Sequence, residues 1–451
     1  MKISGGVSVQ SSLTRWRVGF FVLALFTVVV VGTTTFQSAP AAAEAELARD
    51  LEATSPEAVG ISSERLQRLD DGMQAMVDDG KLAGIVTMLA RHGKVVHTDS
   101  VGTLDVGTGD AVELDSIFRI FSMTKPVVGV AMMMLHEEGK FQLNDPVAKY
   151  IPGFANLKVY TGDNPSGTMQ VEDIERGRRI TIRDLMKHTA GLGYVLNPRH
   201  SVTKAFQANG VLDPNASLQT MIDKIVQVPL IAQPQAMWAY SSSVDVQGYL
   251  VEHLSGQPLG DFLQERIFAP LGMVDTAFYV PSDKAQRVAA MHSPDRGNGG
   301  ALSASSTGRG ALRTTPPAGP SGGGGLYGTA PDYIRFAQML LNGGELNGVR
   351  LLSPRTIEMM RSNHLTDGQQ ATYRRPGQGW GLNFSVVTDG AASGESWSTG
   401  SYYWVGIAGT WFWVDPEQDL TFVGMIQHSG GAIGEVQQLS RSLVYQAIVG
   451  D

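Results

Sequence analysis

Strand-like sequence falls at both ends of the chain and flanks a long, mostly helical middle, and this placement constrains the fold more than any other feature. Near the start, "IVTMLA" from Ile85 and "VVHTDS" from Val95 alternate in the manner of half-buried strands and are joined by "RHGK" as a hairpin. Strand signals return only late, in "GWGLNFSVV", "SYYWVGIAG", "TWFWVD" and "LTFVGMIQ". A sheet that draws strands from both ends turns the middle into an insertion. The run "SSERLQRLDDGMQAMVDDGK" places Leu66, Leu69, Met73, Met76 and Val77 on one helical face, with Ser62 or Ser63 as N-cap, and "AIGEVQQLSRSLVYQAIVG" is a second amphipathic run at the close. The expectation is an α+β fold: an antiparallel sheet flanked by terminal helices, plus an inserted all-helical subdomain. Residues 61–121 and 322–450 form the sheet part, and residues 122–321 the helical part. Within the latter, the Gly-, Ser- and Pro-rich residues 295–325 read as an extended surface loop or linker. No internal repeat of fixed period is present.

Residues 1–43 read as an export signal. Lys2, Arg15 and Arg17 precede the apolar run Val18–Gly32, and Ala41 and Ala43 make an A-x-A cleavage site. That run has fifteen residues, whereas a membrane span needs about 20. Export to the periplasm or medium is therefore preferred over an uncleaved anchor that would associate the protein with the membrane. Residues 44–60 look like a tether. The chain has no cysteine, which excludes disulfides, thiol nucleophiles and thiolate metal sites. A formal charge of −8 without a basic block excludes an electrostatic footprint for nucleic acid. With scattered histidines and no H-x-x-x-H spacing, neither a metal site nor a cofactor is indicated.

The chemistry-bearing candidate is "FSMTK", with Ser122 and Lys125 one helical turn apart, close enough for contact. At a helix N-terminus Ser122 would also own an unpaired backbone N–H in a partly positive field, half of an oxyanion hole. A lysine acts as base only where burial or a nearby cation loosens its proton, and the apolar "VVGVAMMML" that follows makes burial plausible. S-x-x-K is a short pattern and occurs twice. The second copy, "SVTK" from Ser201 to Lys204, follows a polar turn and reads as a surface helix cap. A third candidate, "GPSGG" around Ser321, satisfies G-x-S-x-G, but that elbow requires a strand before and a helix after the serine. Prolines precede Ser321 and glycines follow it, so these residues read as a flexible crossing. Local features alone leave Ser122 either a nucleophile or an N-cap.

Over residues 60 to 450 the chain resembles the serine β-lactamase and penicillin-binding-protein superfamily, most of all its class C branch and the family VIII carboxylesterases. "FSMTK", "LMKHTAGLGY", "AYSSSVDVQGYLVEHLSG", "SGGGGLYGTAPDYIRFAQMLLNGGEL" and "SYYWVGIAGTWFWVDP" carry the resemblance by their order and intervals. It implies a β-lactamase/transpeptidase-like fold in which Ser122 attacks an acyl carbon. Lys125 and Tyr240 would serve as general base and acid, and Ile407 N–H as second oxyanion donor beside Ser122. By the same resemblance Ser242, Trp404 and Gly406 fall in the substrate-binding elements. Ser242 has a competing reading as a helix start with Asp245.

The departures bear on substrate. Where β-lactamases carry Y-x-N the chain has "YSS", and where they carry K-T-G it has "WVG", Trp404 to Gly406. Loss of a charge-assisted hydrogen bond to a substrate carboxylate costs ~1.5–3 kcal/mol. An apolar Trp404 suits a neutral ester and points to the family VIII branch. The expected activity is hydrolysis of a small-molecule ester through an acyl-enzyme. A β-lactamase or D-Ala-D-Ala carboxypeptidase would need another cation, such as an arginine. An amidase, and a catalytically idle sensor that keeps the fold, are the remaining alternatives. His188 is expected to be structural, His428 has no assigned role, and Trp380, Trp411 and Trp413 are expected to pack the sheet.

Overall fold

The computed structural model describes residues 49–195 and 197–450. The segment read as an export signal, residues 1–43, lies outside them. Among the described residues no helix is long and apolar enough to cross a membrane.

Seven antiparallel strands form the main sheet: β1 (Gly84–Arg91), β2 (Lys94–Gly102), β3 (Gln378–Trp380), β4 (Ser385–Val387), β5 (Tyr402–Val405), β6 (Trp411–Asp415) and β7 (Leu420–Met425), in the order β3-β4-β5-β6-β7-β1-β2. The ends of the chain meet where β1 pairs with β7, in register from Val86 with Met425 to Arg91 with Leu420. β1 and β2 are joined by His92 and Gly93, both at positive φ, as a two-residue turn matched to strand twist requires.

Side chains alternate between two cores, as a pleated strand dictates. On one face Ile85, Leu89, Trp411, Trp413 and Phe422 pack against α1 (Ser63–Asp78), through Leu66, Leu69, Met73 and Met76, and against the C-terminal helix Ala432–Tyr445. Ser62 caps α1 by accepting from Arg65 N–H. Fully burying a side chain such as Leu69 contributes roughly 1.5–3 kcal/mol, and Leu69→Ala would cost about 2–5 kcal/mol. On the other face Val86, Met88, Phe412, Val423 and Trp404 join the inserted block in one continuous core. The α+β fold with terminal helices on the sheet is the one expected.

Three details differ from the sequence reading. First, the insertion is not all helical: Lys158–Asp163 pairs with Met169–Asp173, and Met291–Pro294 with Leu302–Ser305. The turn cluster after Thr161 closes a hairpin, with Asn164 N–H donating to Thr168 O. Second, the described part of the supposed tether is docked. Leu51 and Thr54 N–H donate to Gly93 and Val95 O, which covers the open edge of β2, and Arg49 pairs with Asp419. Third, the Gly-rich crossing is packed at its end. A Cβ on Gly322 would lie 2.5 Å from Val244 O, and one on Gly323 2.5 Å from Asp245 Oδ2. These glycines are required by close approach to the helix Ser243–Ser255, and chain flexibility is not their role.

Candidate active site

The nucleophile candidate sits where a short strand gives way to the helix Thr124–Glu137 through a 3-10 turn, Phe121–Met123. Phe121 has φ of 43°, an uncommon conformation for a bulky residue that costs about 1–3 kcal/mol and turns Ser122 outward. The surroundings hold the turn in place: Tyr333 OH donates to Met123 O at 2.9 Å, and Leu326 N–H to Thr124 Oγ1 at 3.1 Å. The helix behind it is buried from Thr124 to Leu135 because its sequence is apolar all round.

Two donors from distant parts of the chain converge on one oxygen. Lys125 Nζ donates to Ser122 Oγ at 3.2 Å, and Tyr240 OH donates to the same atom at 2.8 Å. The lysine is 0% exposed. Its amine also donates to Gly323 O at 2.5 Å and lies 4.6 Å and 5.6 Å from the ring centres of Tyr240 and Tyr194. The amine is thus held by a hydroxyl, a backbone carbonyl and two ring faces, with no carboxylate bonded to it among the described residues. Trp404 Nε1–H donates to Tyr240 OH at 3.2 Å. A chain of donors thus runs from Trp404 through Tyr240 to Ser122.

Asp245 supports this array from behind, a role not visible in the sequence. Its Oδ1 accepts from Ser321 Oγ at 2.6 Å and from Gly323 N–H at 3.0 Å, which aims the Gly323 carbonyl at Lys125. Burial pushes the Asp245 carboxyl above the usual carboxylate range, partly offset by the Ser321 hydroxyl, the Lys125 charge and the Gly323 N–H. Its Oδ2 has no hydrogen-bond partner. Tyr194 is held far above the ordinary phenol range, first by burial and then by Asp245 and Tyr240. It stays neutral.

His188 is fully buried and touches the ring of Tyr240, with centroids 4.8 Å apart. Its Nδ1 accepts from Ser241 N–H at 3.3 Å and lies 3.1 Å from Ser241 Oγ. Burial, then the Lys125 charge, holds it well below the ordinary histidine range. It is a neutral packing and hydrogen-bonding residue that fixes the chain on both sides of Tyr240, its ring through Ser241 and its backbone carbonyl by accepting from Ala239 N–H at 2.9 Å. Trp380 extends the same aromatic layer, 4.5 Å from Trp404 and edge-on to it.

Ser122, Tyr240, Trp404 and Ile407 open together into a cleft of about 430 Å³, which Tyr194, Trp238, Arg309, Ser321 and Arg375 also line. Ile407 follows β5 and its N–H donates to no other group among the described residues, while Gly406 N–H is taken by Thr410 O at 2.7 Å. Gly406 itself does not line the cleft. A Cβ there would lie 2.2 Å from Thr410 Oγ1 and 2.7 Å from Ile120 O, so this glycine brings β5 against the segment ahead of Ser122. β5 is an interior strand, but β4 pairs with it only at Tyr402 and Tyr403, so Trp404 onward lies beyond that pairing.

Ser242 is not brought to the cleft. It is fully buried and stands at the N-cap position of the helix Ser243–Ser255, as the helix-start reading with Asp245 expects, but its Oγ donates to Gly193 O at 3.0 Å and makes no side-chain cap. The second S-x-x-K stands elsewhere. Ser201 is the first residue of the helix Ser201–Ala208, whose cap is His200, and its Oγ donates to Asp163 at 2.5 Å on the surface. Ser321 does line the cleft, with its hydroxyl held by Asp245. His428 is buried with neither ring nitrogen bonded, and the structure suggests no role for it. Among the described residues no group of three or more His, Cys, Asp or Glu side chains could hold a metal ion.

A serine approached by a buried lysine and a tyrosine, on a helix packed between a sheet and an insertion, defines a serine hydrolase on a β-lactamase-like frame. The chain belongs to the Beta-lactamase family, whose model matches residues 69–442. It is 36% identical over 373 residues to an uncharacterized protein of Mycobacterium tuberculosis, covering 79% of this chain and 90% of that one. It is 31% identical over 362 residues to esterase EstB of Burkholderia gladioli, covering 76% and 86%. Among solved structures it is similar to EstCE1, a hydrolase with promiscuous acyltransferase activity, with TM-score 0.70, 26% identity and coverage of 85% and 99%.

Proposed function

We propose that the protein hydrolyses carboxylic esters through an acyl-enzyme on Ser122. The observation that carries this reading is the convergence of Lys125 Nζ and Tyr240 OH on Ser122 Oγ at the floor of an open cleft. Similarity to two proteins described as an esterase and a hydrolase supports the ester class. So does Trp404, an uncharged residue where the resemblance places a carboxylate-binding lysine.

In this reading the Ser122 proton passes to the Lys125–Tyr240 pair, which shares it as base and acid, and Oγ bonds to the acyl carbon. The oxyanion rests on the N–H groups of Ser122 and Ile407. When the tetrahedral species collapses, the C–O bond breaks and the alcohol oxygen takes a proton from Tyr240. Water then gives up a proton to the same pair and attacks the acyl carbon; the Oγ–C bond breaks, Ser122 Oγ takes that proton back, and the carboxylic acid leaves. The indole N–H of Trp404 steadies the tyrosine oxygen as its charge changes. Export through residues 1–43 belongs to the same proposal.

The test is to assay the mature protein and Ser122→Ala on a short-chain p-nitrophenyl ester, a chromogenic cephalosporin and a D-Ala-D-Ala peptide. Ester turnover that disappears in Ser122→Ala is the expected result. Ester turnover surviving the substitution would falsify the nucleophile, and preferential cephalosporin or peptide turnover would overturn the ester class.

A further inference from the structure

The cleft does not end at the nucleophile. A second cavity of about 190 Å³ adjoins it, and the two share Phe121, Arg309, Ser321 and Gly324 in their walls. Three arginines line this second cavity, Arg119, Arg309 and Arg313, and among the described residues no aspartate or glutamate lines either one. The chain as a whole carries a formal charge of −8, so a carboxylate-free arginine cluster runs against its overall composition.

The three arginines are in different states. Arg119 is buried, lies over the Tyr327 ring at 5.5 Å, and donates to Ala289 O at 2.9 Å, Gly310 O at 2.7 Å and Ala311 O at 3.3 Å. These bonds fix the turn that carries Arg309, yet they are all to neutral oxygens, and burial lowers the pKa of the guanidinium, disfavouring its charge. A buried cation without a counter-ion is costly, and an anion beside it lowers that cost. Arg309 is exposed and Arg313 half-buried, and neither guanidinium forms an ion pair or hydrogen bond among the described residues. Arg313 is fixed through its backbone, its N–H donating to Tyr327 OH at 3.2 Å. Asp245 stands behind Ser321 and Gly323, and its Oδ1 is occupied by them.

We infer that the substrate carries an anionic group, a carboxylate or a phosphate, which Arg309 and Arg313 bind in the second cavity over Arg119 while its ester carbonyl lies at Ser122. This rests on the ester reading above and names the substrate class for it. Arginine suits the task because its planar fork binds either anion through two parallel N–H donors.

The experiment compares the p-nitrophenyl half-ester of glutaric acid with neutral p-nitrophenyl butyrate, in wild type and in Arg309→Gln, Arg313→Gln, Arg313→Lys and Arg375→Gln. A charge-assisted contact predicts a kcat/KM ratio favouring the anionic ester by about tenfold or more. The ratio should fall toward unity in both glutamine variants and in raised salt, recover in part with lysine, and persist in Arg375→Gln. Inhibition of butyrate turnover by glutarate and by inorganic phosphate, measured side by side, shows which anion the cavity prefers. A ratio at or below unity in wild type overturns the inference, as does a preference lost only in Arg375→Gln, which would put the anion at Arg375 instead. If neither ester is cleaved, the ester reading fails. Glutarate protection of Ser122→Ala against thermal unfolding, lost in its Arg313→Gln derivative, then tests the cavity alone.

Discussion

Two Ser-x-x-Lys pairs begin helices in this molecule, and they differ in everything except sequence. At Ser122 the lysine is 0% exposed, and a tyrosine 118 positions away donates to the serine oxygen. At Ser201 the lysine is exposed, and the serine holds a surface aspartate from a hairpin. Helix geometry brings serine and lysine to one face in both. What separates the two pairs is burial of the amine and a second hydroxyl on the serine oxygen, and neither is encoded in four residues.

The comparison predicts a graded set of outcomes. Ser122→Ala should lower kcat for ester hydrolysis by at least ~10³-fold, and Ser201→Ala should leave it unchanged. Equal losses in steady-state assays would break the distinction. Lys125→Met and Tyr240→Phe should each cost about 10²–10⁴-fold, since each removes a proton carrier from the pair, whereas Lys204→Met should cost nothing. Single-turnover kinetics should assign both losses to the acyl-transfer steps. Trp404→Phe keeps the ring and removes the N–H on Tyr240, so a loss of about 2–10-fold in kcat is expected, with KM for a neutral ester little changed.

The smallest effect concerns the two other serine–aspartate contacts, Ser321 with buried Asp245 and Ser201 with surface Asp163. Burial raises the Asp245 carboxyl above its unfolded value. That shift contributes stability which is full below the unfolded pKa and is lost as pH rises through the folded one. Asp245→Asn cannot ionise, so its melting temperature relative to wild type should rise with pH, by about 1–2 °C across the acidic range. Asp163→Asn should show no such slope. Calorimetry at a series of pH values decides it, and a falling difference at Asp245 would mean that its charge stabilises the fold through Lys125.

Much of the fold was legible because its signals are local and periodic. The alternation in β1 and β2, the apolar face of Leu66, Leu69, Met73 and Met76, and the late strands each follow from side-chain spacing. The hairpin Lys158–Asp173 was missed because a turn cluster looks the same between helices as between strands. The glycines after Ser321 were misread for a related reason: glycine marks both a flexible linker and a place where two backbones must touch. Ser242 was misplaced because a motif assigns a position in the chain but leaves open which way the residue faces once the helix packs.

The sequence by itself determined the elements: a two-ended sheet, two amphipathic terminal helices, an all-apolar helix behind Ser122, and the order of motifs that marks the family. Tertiary structure alone decided the chemistry. It brought Tyr240 and Trp404 to Ser122, turned the Gly323 carbonyl onto Lys125 through Asp245, and gathered Arg309 and Arg313 beside the cleft. The physical reason is range. Backbone propensity and side-chain periodicity act over a few residues, whereas desolvation and hydrogen-bond convergence depend on groups that only packing makes neighbours.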